Sequence, residues 1–202
     1  SVLIGFGAVA VGIGAGTVIG LVTGFFGGWA DTIIQRLIDT MMTVPGLILA
    51  LVIVTVAGVG VPQIIFTIGL LIVPGTARVV RGSVLSEKNN QYIEAARVIG
   101  ATPMRLMFRH LLPNVMAPII VIMSVMVGAA ILIETALAFL GLGIPPPSPT
   151  WGQMLAGKTR ELAETHLYLA IFPGMAIFLA VFGFNMLGDA LRDLLDPRLR
   201  KA

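Results

Sequence analysis

Five stretches of this chain are each apolar over roughly the 20 residues that a helix needs to cross the hydrocarbon of a bilayer. They run over about 1–24, 41–58, 63–80, 114–138 and 166–187. A chain with such runs has few folds open to it, because every backbone N–H and C=O inside hydrocarbon must find its partner within the protein. The expected fold is all-α: a polytopic transmembrane helical bundle forming one domain over 1–202. Composition agrees, with 57% hydrophobic and 11% charged residues and a mean hydropathy of +0.99. A soluble domain of this length needs a more polar surface. Cysteine is absent, which rules out a disulfide framework or a cysteine metal site.

The basic residues orient the bundle. Arg36, Arg78, Arg81, Lys88, Arg97, Arg105, Arg109, Arg192, Arg198, Arg200 and Lys201 fall on one side of the expected spans, and only Lys158 and Arg160 on the other. Lys and Arg collect on the cytoplasmic side. The linker 25–40, the loop 81–113 and the tail 188–202 are therefore expected in the cytoplasm, and the loop 139–165 outside. The same rule accounts for the net charge of +3 without nucleic acid, which is not an expected partner. The opening SVLIGFGAVAVGIGAG shows neither a basic leader nor a cleavage site. It reads as the inside of a hydrophobic helix, and a further helix is expected before residue 1.

Gly12, Gly16, Gly20, Gly24 and Gly28 recur every four residues in and just after the first span. Such a stripe serves close helix packing or lines a pore. Pro45, Pro74 and Pro173 are expected to kink helices whose freed carbonyls neighbouring helices satisfy. Trp29, Trp151 and Tyr168 suit interfacial anchoring. Asp189 is expected to pair with Arg192 or Arg36 on the cytoplasmic rim.

Residues 94–114, EAARVIGATPMRLMFRHLLPN, are the charged exception in an apolar chain. Ser86 is expected to cap a helix from Glu87 to about Ile99, with Gly100 as the left-handed residue after its end. Thr102 and Pro103 suit the cap and first position of a second helix ending before Pro113. Ala95 and Ala96 keep the first helix slim; Tyr92, Ile93, Ala96 and Ile99 give it an apolar stripe. Such a hairpin either docks in a groove of another protein or lies on lipid headgroups with its arginines on phosphate.

Glu94-Ala95-Ala96, then Gly100, then His110-Leu111-Leu112-Pro113 resembles the EAA loop of ABC-transporter permeases. His110 stands where the general pattern has Ile; HLLPN is similar to the dipeptide, oligopeptide and nickel branch. FLGLGIPPPSPTWGQML at 139–155, FNMLGDALRDLLDPRLR at 184–200 and GFFGGWAD at 24–31 fit the same branch, close to its second-permease type. The resemblance covers essentially the whole chain. It implies the type I importer permease fold, with five of six usual spans present, in a bacterial or archaeal cytoplasmic membrane. It implies an importer subunit for di- or oligopeptides, or for nickel or another small solute. The partners implied are a second related permease, two ABC ATPases and an extracytoplasmic substrate-binding protein. ATP and Mg would sit on the ATPases, and no cofactor on this chain. Glu94, Ala95, Ala96, Gly100, Arg105, Arg109, His110 and Pro113 would couple to the ATPases, and Pro145, Pro146, Pro147 and Trp151 would face the binding protein. A plug capping the helices is the plainer reading of the Pro-rich loop.

Glu134 is an ionisable group at membrane depth, hence a candidate for the substrate path or a gate, or for a bond to another helix. GQMLAGKT at 152–159 matches the phosphate-loop spacing but follows PPPSPTW rather than a strand, so no nucleotide site is expected. His110 and His166 lack ligand-spaced partners. An ion-coupled secondary transporter is a weaker alternative, lacking an internal repeat. A membrane-embedded enzyme is weaker still, lacking HExxH, GxSxG or a paired-acid motif.

Overall fold

In the computed structural model the described residues are 1–145, 147–157, 162 and 165–195. Pro146, Lys158, Arg160, Arg198, Arg200 and Lys201 lie outside them. The helices are α1 (Val2–Phe26), α2 (Gly28–Thr43), α3 (Gly46–Ala57), α4 (Val61–Glu87), α5 (Gln91–Val98), α6 (Pro103–Arg105), α7 (Leu112–Asn114), α8 (Met116–Leu137), α9 (Trp151–Met154) and α10 (Tyr168–Leu195). π-helical turns join α6 to α7 (Leu106–Leu111) and extend α8 (Ala138–Leu142). Among the described residues there is no strand. Among the described residues, four helical stretches are long and apolar enough to cross a membrane: α1, α4, Met116–Leu142 and α10. The pair α2–α3, bent by 95°, counts as a fifth only if taken as one broken span.

The glycine stripe explains the tightest contact. A Cβ at Gly12 would lie 2.6 Å from the Gly69 carbonyl oxygen, at Gly16 2.6 Å from Thr76 Cβ, at Gly20 2.5 Å from the Ala77 carbonyl oxygen, and at Gly24 2.9 Å from Val84 Cβ. No side chain fits there, so α1 lies backbone to backbone on α4. Between apolar helices in lipid this dispersion contact stands in for the missing hydrophobic drive. The stripe is therefore a packing seam, not a pore lining, and Gly28 is not part of it. Its φ of +68° and empty surroundings place it at the break before α2.

The glycine pairs rise together in number along both helices, so α1 and α4 are parallel. Gly5 meets Val127 and Ile131, and Gly128 and Gly188 meet Val181 and Val125 respectively. With Ser1 bonded to Glu134 and Gly5 seated at Val127 and Ile131, α8 runs antiparallel to α1, and α10 runs antiparallel to α8. The ends of α1, α4 and α10 and the start of α8 thus share one end of the bundle. Asp31, Asp39, Arg78, Arg81, Lys88 and the α5–α7 segment gather there.

Local structure near the start of the chain differs from the sequence expectation. The linker 25–40 is mostly the helix α2, and the span expected at 41–58 holds only the 12-residue α3. Pro45 separates one helix from the next: its ring pushes Val44 out of the helical region, to φ −86° and ψ 129°, and Pro45 caps the start of α3. Charge holds α2 in place. Arg81 grips Asp31 with two bonds, Nε to Oδ1 and Nη2 to Oδ2, both 2.6 Å, and Arg78 Nη2 reaches Asp39 Oδ1 at 2.6 Å. Lys88 Nζ donates to the Gly24 carbonyl at 2.9 Å, satisfying the end of α1. Asp189, expected to pair with Arg192 or Arg36, makes no ion pair among the described residues. Pro74 and Pro173 lie inside α4 and α10, which run on through them.

Candidate functional site

The charged hairpin is built locally, residue by residue. α4 continues without a break to Glu87, so Ser86 lies inside it and caps nothing; the next helix starts only at Gln91, after Asn90. Asn90 Nδ2 and the Tyr92 hydroxyl both donate to Glu87 Oε2, at 2.7 and 2.9 Å, clamping this corner. Partial desolvation of the ring first, and then the bond to Glu87, push the Tyr92 phenol above its ordinary pKa. At the far end of α5, Gly100 sits at φ +85°. Its N–H reaches the Arg97 carbonyl and the Ala101 N–H the Ala96 carbonyl, each at 3.0 Å. This is the Schellman arrangement, which requires a left-handed residue at that point. The Thr102 side chain then accepts from the Arg105 N–H at 3.4 Å and Pro103 opens α6, as the sequence implies.

The second arm departs from expectation. It does not stop before Pro113 but passes through it, by widening into a π turn over Leu106–Leu111. Proline lacks an N–H and its ring crowds the carbonyl four residues back; one wider turn relieves both. Asn114 Nδ2 donates to the His110 carbonyl at 2.6 Å just beyond it.

The arms close on each other through Ile93 and Ala96, buried in the same apolar cluster as Leu106, Met107 and Leu111. Ala96 therefore makes room for the second arm, whereas Ala95 and Glu94 face outward. The expected stripe of Tyr92, Ile93, Ala96 and Ile99 splits: Ile93 and Ala96 point in, Tyr92 and Ile99 out. The tip is bare, with Val98 82% and Ile99 85% exposed and Met104 and Phe108 beside them. Behind it lies a groove of about 260 Å³ lined by Ala96, Ile99, Ala101, Arg105, Arg109 and His110. Pro113 is exposed on the outgoing arm. The structure thus brings seven of the eight hairpin residues to one knuckle, with Pro113 at its base. The apolar tip residues Val98, Met104 and Phe108 were not singled out from the sequence, although large apolar residues flanking a charged turn could have flagged them.

At the opposite end, Glu134 is fully buried near the top of α8. Ser1 Oγ donates to its Oε2 at 2.8 Å and accepts from the Trp151 N–H at 3.0 Å. Oε1 has no partner among the described residues. Glu134 therefore ties α8 to the start of α1 in this conformation. Trp151 is half-buried against the core, and Thr150 caps α9 by accepting from the Gln153 N–H at 3.1 Å. Pro145 and Pro147 are exposed. Gly152 packs so closely on α8 that a Cβ would lie 2.8 Å from Thr135 Cα. GQMLAGKT begins in the four-residue α9, and its Lys158 and Thr159 lie outside the described residues. Among those residues no three His, Cys, Asp or Glu side chains converge.

Residues 16–201 match the family described as binding-protein-dependent transport system inner membrane component. The chain is 42% identical over 200 residues to the glutathione transport system permease protein GsiD of Pectobacterium atrosepticum, covering 99% of this chain and 66% of that one. It is 42% identical over 202 residues to the di/tripeptide transport system permease protein DppC of Pseudomonas aeruginosa, covering 100% and 66%. It thus spans 66%, just under two thirds, of the length of these curated relatives. Among solved structures, a chain of the MetNI methionine ABC transporter in inward facing conformations superposes with TM-score 0.60 at 18% identity, over 94% of this chain and 89% of that one. That likeness supports the fold.

Proposed function

This chain belongs to the family of binding-protein-dependent transport system inner membrane components, and from that premise we propose that it forms half of the membrane pathway of an ATP-driven importer of di- and oligopeptides. The relatives' names supply the substrate class: dipeptides, di- and tripeptides, and glutathione, itself a tripeptide. Nickel or another small solute is the narrower alternative within the same branch. The proposed partners are a second, related permease, two cytoplasmic ATPases that bind ATP and Mg, and an extracytoplasmic binding protein. The chain itself performs no bond chemistry on this reading, and its membrane is the bacterial or archaeal cytoplasmic one.

The observation that carries the reading is the bare tip of the hairpin. Val98 and Ile99 project from a turn pinned by Gly100, at the end of the bundle where the basic residues collect. An exposed apolar knuckle on a short rigid helix suits insertion into a groove. Glu94, Ala95, Arg105, Arg109 and His110 surround it and would set the docking. Pro113, with its π turn, sets the angle at which the arm enters α8. Differential contact of the tip with open and closed ATPase pairs would shift the bundle between two packings. At the other end, Pro145, Pro146, Pro147 and Trp151 would receive the binding protein, and Glu134 would gate that end.

Purification of the full-length protein from its native membrane, with identification of what accompanies it, tests the assignment. An ATPase and a second permease are expected, and Ile99→Asp should lose the ATPase while keeping the permease partner. An Ile99→Asp complex with full ATPase content and full peptide uptake would overturn the docking role.

A further inference from the structure

At the charged end of the bundle a groove of about 380 Å³ opens between α4, α8 and α10. Val79, Ala117, Pro118, Val121, Ile122 and Leu195 make its walls, and Arg192 is the one charged residue on them among the described residues. Its size falls within the range of ligand sites, roughly 300–1,000 Å³. Gly188, Arg192 and Leu195 share one face of α10, by their spacing of four and three. Gly188 packs onto Ser124 and Val125 of α8, so the same face carries Arg192 to the mouth of the groove. Arg192 is exposed and makes no ion pair among the described residues. Asp189, three residues before Arg192, neighbours it on the helix surface but makes no ion pair with it, and Asp193 lies one residue further round. By contrast, Arg78 and Arg81 on α4 are already neutralised by Asp39 and Asp31.

The geometry points to this groove as a binding site for one anionic phospholipid of the leaflet at the charged end. An acyl chain lies along the apolar walls and the headgroup phosphate sits on the Arg192 guanidinium. Basic pockets between transmembrane helices on the cytoplasmic side favour such headgroups, and a guanidinium fork fits phosphate. A zwitterionic lipid fills the same walls but brings a cationic group toward Arg192, so discrimination rests on charge. The inference depends on the chain being membrane-embedded, not on the importer assignment.

The test uses the full-length protein in its purified native complex, delipidated and titrated with phosphatidylglycerol or phosphatidylcholine, with bound lipid counted by native mass spectrometry. Phosphatidylglycerol is expected to be retained about fivefold better, the preference one surface arginine supplies. Arg192→Gln should erase that preference, and Ala117→Trp, which fills the groove, should lower retention of both lipids. Equal retention of the two lipids by the unaltered complex overturns the proposal, and that comparison needs no variant to fold. So does efficient disulfide formation between cysteines placed at Leu195 and on a second permease subunit, which would show that protein covers the groove.

Discussion

Two adjacent alanines carry different burdens. Ala96 is buried between the hairpin arms and Ala95 is exposed beside it. Ala96→Leu is expected to overpack the arms at a cost of about 1–3 kcal/mol, seen as a lowered melting temperature in detergent. Ala95→Leu should leave melting unchanged and weaken ATPase binding alone, read by the amount of ATPase retained on the purified permease. The seam glycines make a second contrast. Gly16→Val forces a side chain into Thr76 and should destabilise by more than 1 kcal/mol. Gly14→Ala, with nothing within 4 Å, should be neutral or slightly stabilising, since alanine is the better helix former. The sequence could show the stripe and the alanine pair, since spacing alone reveals them. It could not show which alanine turns inward, because that depends on where the second arm returns.

The helices that sequence reveals are those whose side chains meet one solvent all round. α1, α4, α8 and α10 were legible as long apolar runs for that reason. α2 was not, because Asp31, Arg36 and Asp39 interrupt it and look like a linker. Its fingerprint is Trp29, Ile33 and Leu37, spaced by four and all exposed on one face. That spacing is helical, but it reads as helix only once the charges are known to be paired to α4. The same blind spot hid the passage through Pro113, since a π turn leaves no mark in residue type. If the charged grips hold α2, a double-mutant cycle on Arg81 and Asp31 should give a larger coupling than one on Arg78 and Asp39. The second pair is more than half exposed on its aspartate side and is worth about 0.2–1 kcal/mol. Equal couplings by chemical denaturation in detergent would show that burial at Asp31 adds nothing.

At the scale of the molecule, charge and apolar surface divide the bundle into two unlike ends and one exposed flank. α10 contributes most of that flank, with Phe172, Phe178, Leu179, Phe182 and Met186 each at least half exposed. Such a surface in a membrane meets lipid or another helix. The substrate remains outside what residues alone dictate, since no described groove carries a peptide's complement of charges. The seam between α1 and α4 sets a limit on any transport cycle. Helices that seat Ile72, Thr76, Val80 and Val84 of one directly on Gly12, Gly16, Gly20 and Gly24 of the other cannot slide or part by small steps, so these two helices travel as a single strut. Spin labels at Phe26 and Ser86, near the inner ends of that pair, are expected to keep one separation with and without ATP in the assembled transporter. On the proposed importer role, whatever opens and shuts the pathway must hinge elsewhere, at the bend after Pro45 or along the lightly seated α10, while the strut would carry motion at the knuckle to the far end of the bundle undiminished.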